Sequence, residues 1–176
     1  MSDSLHERCA AIEMLVLDVD GVLTDGRIVY SDGGEEIKAF HVRDGSGLKF
    51  WQQLGKRTGI ITGRNSRIVE RRARELGVTA VVQGAEDKRA AFDRMLHEHG
   101  LERRQVCTMG DDLPDVPVLR RSGLAVVVAD ACSEAKAAAH HVTQAEGGRG
   151  AVREVIELVL RVQGRWHEVL ARYEGS

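Results

Sequence analysis

Met14-Leu15-Val16-Leu17-Asp18-Val19-Asp20-Gly21 is the stretch on which the rest of the chain depends. A short apolar run bounded by carboxylates reads as a buried strand. Asp18 and Asp20 close that strand. Side chains two apart on an extended chain share a face, although a turn at Gly21 can redirect the second. Two neighbouring carboxylates repel unless a cation neutralises them or one keeps a proton. A strand that ends in such a pair therefore asks for a partner.

The same pattern recurs downstream. Thr58-Gly59-Ile60-Ile61 reads as a strand closing on Thr62-Gly63-Arg64, and Val106 to Met109 as a strand running into Gly110-Asp111-Asp112. Val78 to Val82, Leu124 to Val128 and His141 to Thr143 read as further strands. Between them, helices are expected over Ser66 to Leu76, Lys88 to His99, Leu113 to Arg121 and Ser133 to Ala139. Leu48, Trp51 and Leu54 mark an earlier helix by their apolar spacing. Val152, Val155, Ile156, Val159 and Leu160 mark a late one in the same way. Arg27 to Tyr30 and Glu35 to His41, around Ser31-Asp32-Gly33-Gly34, suggest a hairpin. Strands alternating with helices imply an α/β fold, a doubly wound parallel sheet covered on both faces. Ligands bind outside the carboxyl ends of such strands, so Asp18, Thr62 and Asp111 are expected to converge.

Composition sets the outer bounds. The 176 residues fit a single domain, with a core over 12–164 and a tail over 165–176. Lysines and arginines number 25 against 27 acids, a balance that argues against a nucleic-acid partner. No apolar run approaches the roughly 20 residues that span a bilayer. Cys9, Cys107 and Cys132 are odd in number and lack a CxxC spacing, so neither a disulfide framework nor a zinc site is expected. Met1 to Ala11 carries no secretory pattern, and the expectation is a soluble, reduced, cytoplasmic protein. Glu146-Gly147-Gly148-Arg149-Gly150 reads as a flexible loop.

The candidate site residues form a consistent set. Asp18, Asp20, Asp111 and Asp112 offer hard oxygen ligands, which select Mg²⁺ over zinc or copper. Mg²⁺ also takes phosphate oxygens. Thr62-Gly63 offers a hydroxyl and an amide suited to phosphate. Lys88 would supply a cation opposite the acids.

In this order, the residues resemble the haloacid dehalogenase superfamily of phosphotransferases. DVDGVLTDG, IITG, Lys88 and GDDLPD match its four motifs, and the likeness spans Met14 to about Gln163. GEEIKAFHVRDGSGLK, IITGRN, MGDDLPDVPVL and GGRGAVREV narrow it to the capless KDO 8-phosphate (3-deoxy-D-manno-octulosonate 8-phosphate) phosphatase family of lipopolysaccharide biosynthesis. The resemblance implies that Asp18 is a nucleophile forming an aspartyl-phosphate and Asp20 a general acid and base. It implies Mg²⁺ on the carboxylates of Asp18 and Asp111 and the backbone carbonyl of Asp20, with Asp112 and Asp115 behind them. Thr62, Gly63 and Lys88 would hold the phosphate. His41, Val42, Arg43, Asp44 and Gly45 match the family's substrate-contacting turn, with His41 standing where asparagine is expected. Arg43, Lys49, Arg64 and Arg72 would meet the charge of a small acidic sugar phosphate. A related branch acting on nine-carbon sialic acid-type phosphates carries glutamate at the position of Arg64, so arginine favours the eight-carbon substrate.

The gaps from Asp20 to Thr62 and from Thr62 to Lys88 are too short for a cap domain. The resemblance implies a homotetramer in which a neighbouring subunit covers the site, joined through the hairpin, with the Glu146 to Gly150 loop and the tail reaching across. Two other readings share some of these residues. A phospho-receiver domain places its phospho-acceptor aspartate on the third strand, and here the acid pair comes first. A non-catalytic tetramerising module of the same fold would not need every catalytic position filled.

Overall fold

A computed structural model describes residues 4–174. Its centre is a six-stranded sheet, all parallel. The strands are β1 (Met14–Leu17), β4 (Arg57–Ile61), β5 (Ala80–Val82), β6 (Val106–Gly110), β7 (Leu124–Val127) and β8 (His141–Val142). Their spatial order is β5-β4-β1-β6-β7-β8. A separate antiparallel hairpin pairs β2 (Val29–Tyr30) with β3 (Glu36–Ile37). Around the sheet lie α1 (Leu5–Ala10), α2 (Val42–Gln53), α3 (Arg67–Leu76), α4 (Lys88–His99), α5 (Val116–Leu119), α6 (Ser133–Ala138), α7 (Ala151–Val162) and α8 (Trp166–Leu170).

The alternation of β1 explains the double winding. Leu15 and Leu17 join one core with Leu48 and Trp51 of α2, Val69 of α3, and Val155 and Ile156 of α7. Met14 and Val16 point the other way, into a core with Phe92, Met95 and Leu96 of α4 and Val118 of α5. The strand is buried on both faces, as an uninterrupted apolar run requires. Each such side chain contributes about 1.5–3 kcal/mol by leaving water. Among the described residues, no helix is long and apolar enough to cross a membrane.

Several expectations need correction. The hairpin pairs only two residues on each strand, so Arg27, Ile28, Glu35 and Lys38 to His41 lie outside the ladder. The segment expected as a bare tail folds into α8, with Trp166 and Val169 buried. Helix α1 was not anticipated; Ser4 and Glu7 cap it reciprocally.

The Glu146–Gly150 loop is not loose. The Gly147 amide donates to Asp130 Oδ1 at 2.9 Å, and the Gly148 amide to the Val22 carbonyl at 2.9 Å. A Cβ on Gly147 would lie 1.9 Å from the Gly21 carbonyl oxygen. These glycines let the backbone press against the turn that follows Asp20. At the end of the loop, Asp44 from α2 accepts from the amides of Gly150 at 3.2 Å and Arg153 at 2.8 Å, and so caps α7.

Candidate active site

Chain order runs from β1 to β4 and β5 on one side of the sheet, then from β6 to β8 on the other. The direction reverses at β1, where an open α/β sheet forms its binding crevice. Asp18 follows β1 directly, Thr62 follows β4 and Asp111 follows β6. The order therefore sets Asp18 between its two neighbours.

Carboxylate atoms of Asp18, Asp111 and Asp115 lie within 4.8 Å of one another. Lys88, the first residue of α4, reaches into this group. Its Nζ lies 2.7 Å from Asp115 Oδ1 and 3.0 Å from Asp18 Oδ1. The aligned hydrogen bond goes to Asp115, which leaves Asp18 Oδ1 buried without one. The other Asp115 oxygen accepts from the amides of Asp111 at 3.0 Å and Asp112 at 3.3 Å. Asp115 thus fastens Lys88 to the loop that carries Asp111. Asp112 is exposed and forms a reciprocal capping box with Asp115 at this turn. Gly21 has φ +93°, and a Cβ there would meet Asp111 Oδ2 at 2.1 Å. Only glycine lets the first loop pass this close to the third.

The electrostatics follow from three acids facing one ammonium. Burial raises the Asp18 carboxyl to about 6, helped by the Asp115 charge and opposed by Lys88. Burial also raises Asp111 to about 7, with Asp115, Asp18 and Asp112 adding repulsion. For Lys88, burial pulls downward, but Asp18 and Asp115 prevail and its value is raised. The cluster is short of positive charge. Its donors are hard carboxylate oxygens, and one of them is buried without a hydrogen bond. A hard divalent cation fits this set. Asp115 spends its oxygens on Lys88 and two amides, so Asp18 and Asp111 have the freer carboxylates.

The Asp20 carboxylate lies apart from this cluster. Lys38, just beyond β3, holds its Oδ1, and Arg64 Nε sits 3.8 Å from its Oδ2. Glu36 ties these groups together. Its Oε1 lies 3.3 Å from Lys38 Nζ and 3.5 Å from an Arg64 nitrogen, and its Oε2 accepts from the Ser66 hydroxyl at 2.5 Å. That hydroxyl, with Lys38 and Arg64 beside it, keeps the Glu36 carboxyl below its usual range. Arg64 also donates to the Tyr30 hydroxyl at 3.3 Å. Sequence reading missed Glu36, Lys38, Tyr30 and Ser66, since nothing local marks a side chain that reaches across from a hairpin.

Comparison with known proteins gives the family. Residues 80–156 match the family model described as haloacid dehalogenase-like hydrolase. The chain is 44% identical over 165 residues to the 3-deoxy-D-manno-octulosonate 8-phosphate phosphatase KdsC of Yersinia pestis, covering 94% of this chain and 88% of that one. The chain belongs to the KDO 8-phosphate phosphatase family. Solved structures agree. The phosphatase of Moraxella catarrhalis, crystallised with magnesium, phosphate and KDO, superposes with a TM-score of 0.94 at 40% identity, covering 96% of this chain and 97% of that one. A probable YrbI family phosphatase from Pseudomonas syringae gives 0.96 at 47% identity, with 99% of each chain covered.

In this member of the KDO 8-phosphate phosphatase family, the expected substrate residues are spread over separate clefts. Gly63 and Lys88 line a cleft of about 550 Å³ with Pro114 and Pro117. His41 and Arg43 line another, of about 520 Å³, with Arg149 and Arg153. Arg72 lines a third, of about 480 Å³, beside Glu36 and Lys38. It stacks over Phe40 at 5.6 Å and pairs with Glu75 at 3.3 Å. Thr62 is buried at the end of β4, Lys49 is exposed on α2, and Val42 is 78% exposed. Of the expected substrate turn, the Asp44 carboxylate is buried and bonded to the start of α7, and Gly45 is buried beneath the Arg72 side chain.

Proposed function

We propose that this protein is a Mg²⁺-dependent phosphomonoesterase that hydrolyses KDO 8-phosphate to KDO and phosphate, a step of lipopolysaccharide biosynthesis. The observation that carries the reading is the cluster of Asp18, Asp111 and Asp115 around Lys88 at the sheet's point of reversal. Asp18 and Asp111, with the Asp20 backbone carbonyl, would hold the ion. Once bound, Mg²⁺ supplies charge that screens the repulsion between carboxylate and phosphate.

The chain's own residues do the rest. Lys88 and Thr62, with the Gly63 amide, hold the phosphate oxygens and orient phosphorus toward Asp18. An Asp18 oxygen attacks phosphorus as the ester bond breaks, giving an aspartyl-phosphate. Asp20 gives its proton to the departing sugar oxygen. Asp20 then takes a proton from water as the water oxygen attacks phosphorus, and Asp18 is released as a carboxylate. Arg64 is the residue on the Asp20 side best placed for the sugar's own carboxylate, since a guanidinium fork matches it.

The test is Mg²⁺-dependent phosphate release from KDO 8-phosphate beside N-acetylneuraminate 9-phosphate, with Asp18→Asn as control. Preference for the first, lost in the variant, is expected. Preference for the second would keep the chemistry and overturn the reading of Arg64. Silence on both would leave a tetramerising module.

We propose that the chain also self-associates. Ile28, Val29, Tyr30 and Ile37 in and beside the hairpin ladder, and Val42 at the start of α2, are exposed apolar residues, and exposed apolar surface of this kind suits an interface. A homotetramer would bring residues from a second copy to the three separate clefts. Light scattering is expected to give four copies for the wild type and fewer for Ile37→Asp. A monomeric, fully active wild type would refute this arrangement.

A further inference from the structure

Lys38 is a lysine with no outlet to solvent. Its side chain is 1% exposed, and its Nζ meets two acceptors, Asp20 Oδ1 and Glu36 Oε1. A buried cation of this kind is retained only where its partners are fixed. Here one partner is the carboxylate assigned above to proton transfer. The other, Glu36, is anchored in turn by Ser66 at the start of α3. The hairpin that carries Glu36 and Lys38 is otherwise a short ladder with exposed apolar side chains.

We propose that Lys38 is a positioning residue for the acid–base step, acting through Asp20. By holding Oδ1, Lys38 fixes the rotation of the carboxylate and leaves Oδ2 as the oxygen turned to proton exchange. Arg64 Nε lies 3.8 Å from Oδ2, beyond hydrogen-bond reach. Glu36 balances the Lys38 charge. When the Asp20 proton passes to the sugar oxygen and the phosphorus–oxygen ester bond breaks, the new Asp20 carboxylate is met by Lys38. When water later attacks the aspartyl-phosphate, its proton returns to the same oxygen. Nothing else is consumed. The inference rests on Asp20 being the acid and base.

Leaving-group chemistry tests it. An alkoxide leaving from KDO 8-phosphate needs a proton, whereas p-nitrophenolate is stable without one. First-turnover rates would be measured for both esters with wild type, Lys38→Met and Lys38→Arg, using the full chain with Mg²⁺. Lys38→Met is expected to slow the first turnover of KDO 8-phosphate by about 10²-fold, the usual worth of a positioned acid. KM for that ester and the p-nitrophenolate burst should each stay within about threefold of wild type, the mark of an interaction made only in the transition state. Steady-state p-nitrophenyl phosphate turnover should fall after the burst, because the second step also uses Asp20. Lys38→Arg, which keeps a cation, should recover part of the loss. Equal first-turnover losses on both esters would show that Lys38 only braces the hairpin, and would overturn the inference. So would a Lys38→Met protein as fast as wild type. A wild type silent on both esters would overturn the phosphatase reading, and this inference with it.

Discussion

Replacing Asp115 with asparagine separates two forces that the wild type keeps in balance. The side chain bonds Lys88 at 2.7 Å through Oδ1 and the amides of Asp111 and Asp112 at 3.0 and 3.3 Å through Oδ2. Asparagine has one acceptor oxygen. Whichever way it turns, its NH₂ faces donors, either the ammonium or the two amides. Breaking a buried pair in this way costs about 3–5 kcal/mol. The substitution also removes one of three mutually repelling carboxylates. Within 4.8 Å and at an effective dielectric of about 20, each repulsion amounts to roughly 3.5 kcal/mol, and the substitution relieves two of them. Without metal, that relief of roughly 7 kcal/mol exceeds the loss, and Asp115→Asn should be more stable than wild type by about 2–4 kcal/mol. With Mg²⁺ bound, the repulsion is already screened, and the full loss of about 3–5 kcal/mol should appear. Urea unfolding of wild type and Asp115→Asn, in EDTA and in saturating Mg²⁺, measures all four values. Equal destabilisation with and without Mg²⁺ would refute the reasoning, because it would mean the carboxylates do not repel appreciably.

Three further outcomes are expected. The raised Asp18 and Asp111, near 6 and 7, bind protons more tightly folded than unfolded, so metal-free stability falls as pH rises from about 4 to 7; the Mg²⁺-induced rise in Tm should therefore be larger at pH 8 than at pH 5. Gly147→Ala puts a Cβ where only 1.9 Å separates it from the Gly21 carbonyl; phosphate release should fall at least about tenfold through a displaced Asp20 turn, a small shift being enough to disturb reactive geometry, while circular dichroism stays native. Asp44→Ala removes the cap of α7 and should cost about 1–2 kcal/mol in urea unfolding, with faster proteolysis near Gly150.

The sheet was legible because its strands are short and mostly apolar, and its central strands are followed by polar residues. Lys88–His99 keeps its expected bounds, since Asp87 caps it and Gly100 follows it. The motif residues Asp18, Asp111, Asp115 and Lys88 meet because strand ends converge, a consequence of topology that sequence order already implied. The rest was hidden for different reasons. Helix α1 carries a Ser4–Glu7 capping box that could have flagged it. The loop around Gly147 reads as mobile because glycine signals freedom in a sequence, whereas here its missing side chain permits contact. Asp44 was expected in a substrate-contacting turn from the family likeness alone; its bonds to the amides of Gly150 and Arg153 join segments more than a hundred residues apart, which no local pattern marks. Lys38 and Glu36 lie in the GEEIKAF stretch that carries the family likeness, but their contact with Asp20 was hidden, because an ion pair with a residue on another loop has no periodicity.

The packing of Gly147 and Gly148 against the turn after Asp20 has a consequence for the order of synthesis. The nucleophile's strand is made early, but the segment that braces its loop lies 129 residues later (147 − 18). At about 5–20 residues per second, a ribosome takes roughly 6–26 s to cover that interval. β1 also waits for both of its neighbours, β4 and β6, before both of its edges are hydrogen-bonded. A nascent chain therefore carries its most reactive carboxylates on an unfinished scaffold until Gly147 and Gly148 have emerged, and competence for chemistry waits for that late segment.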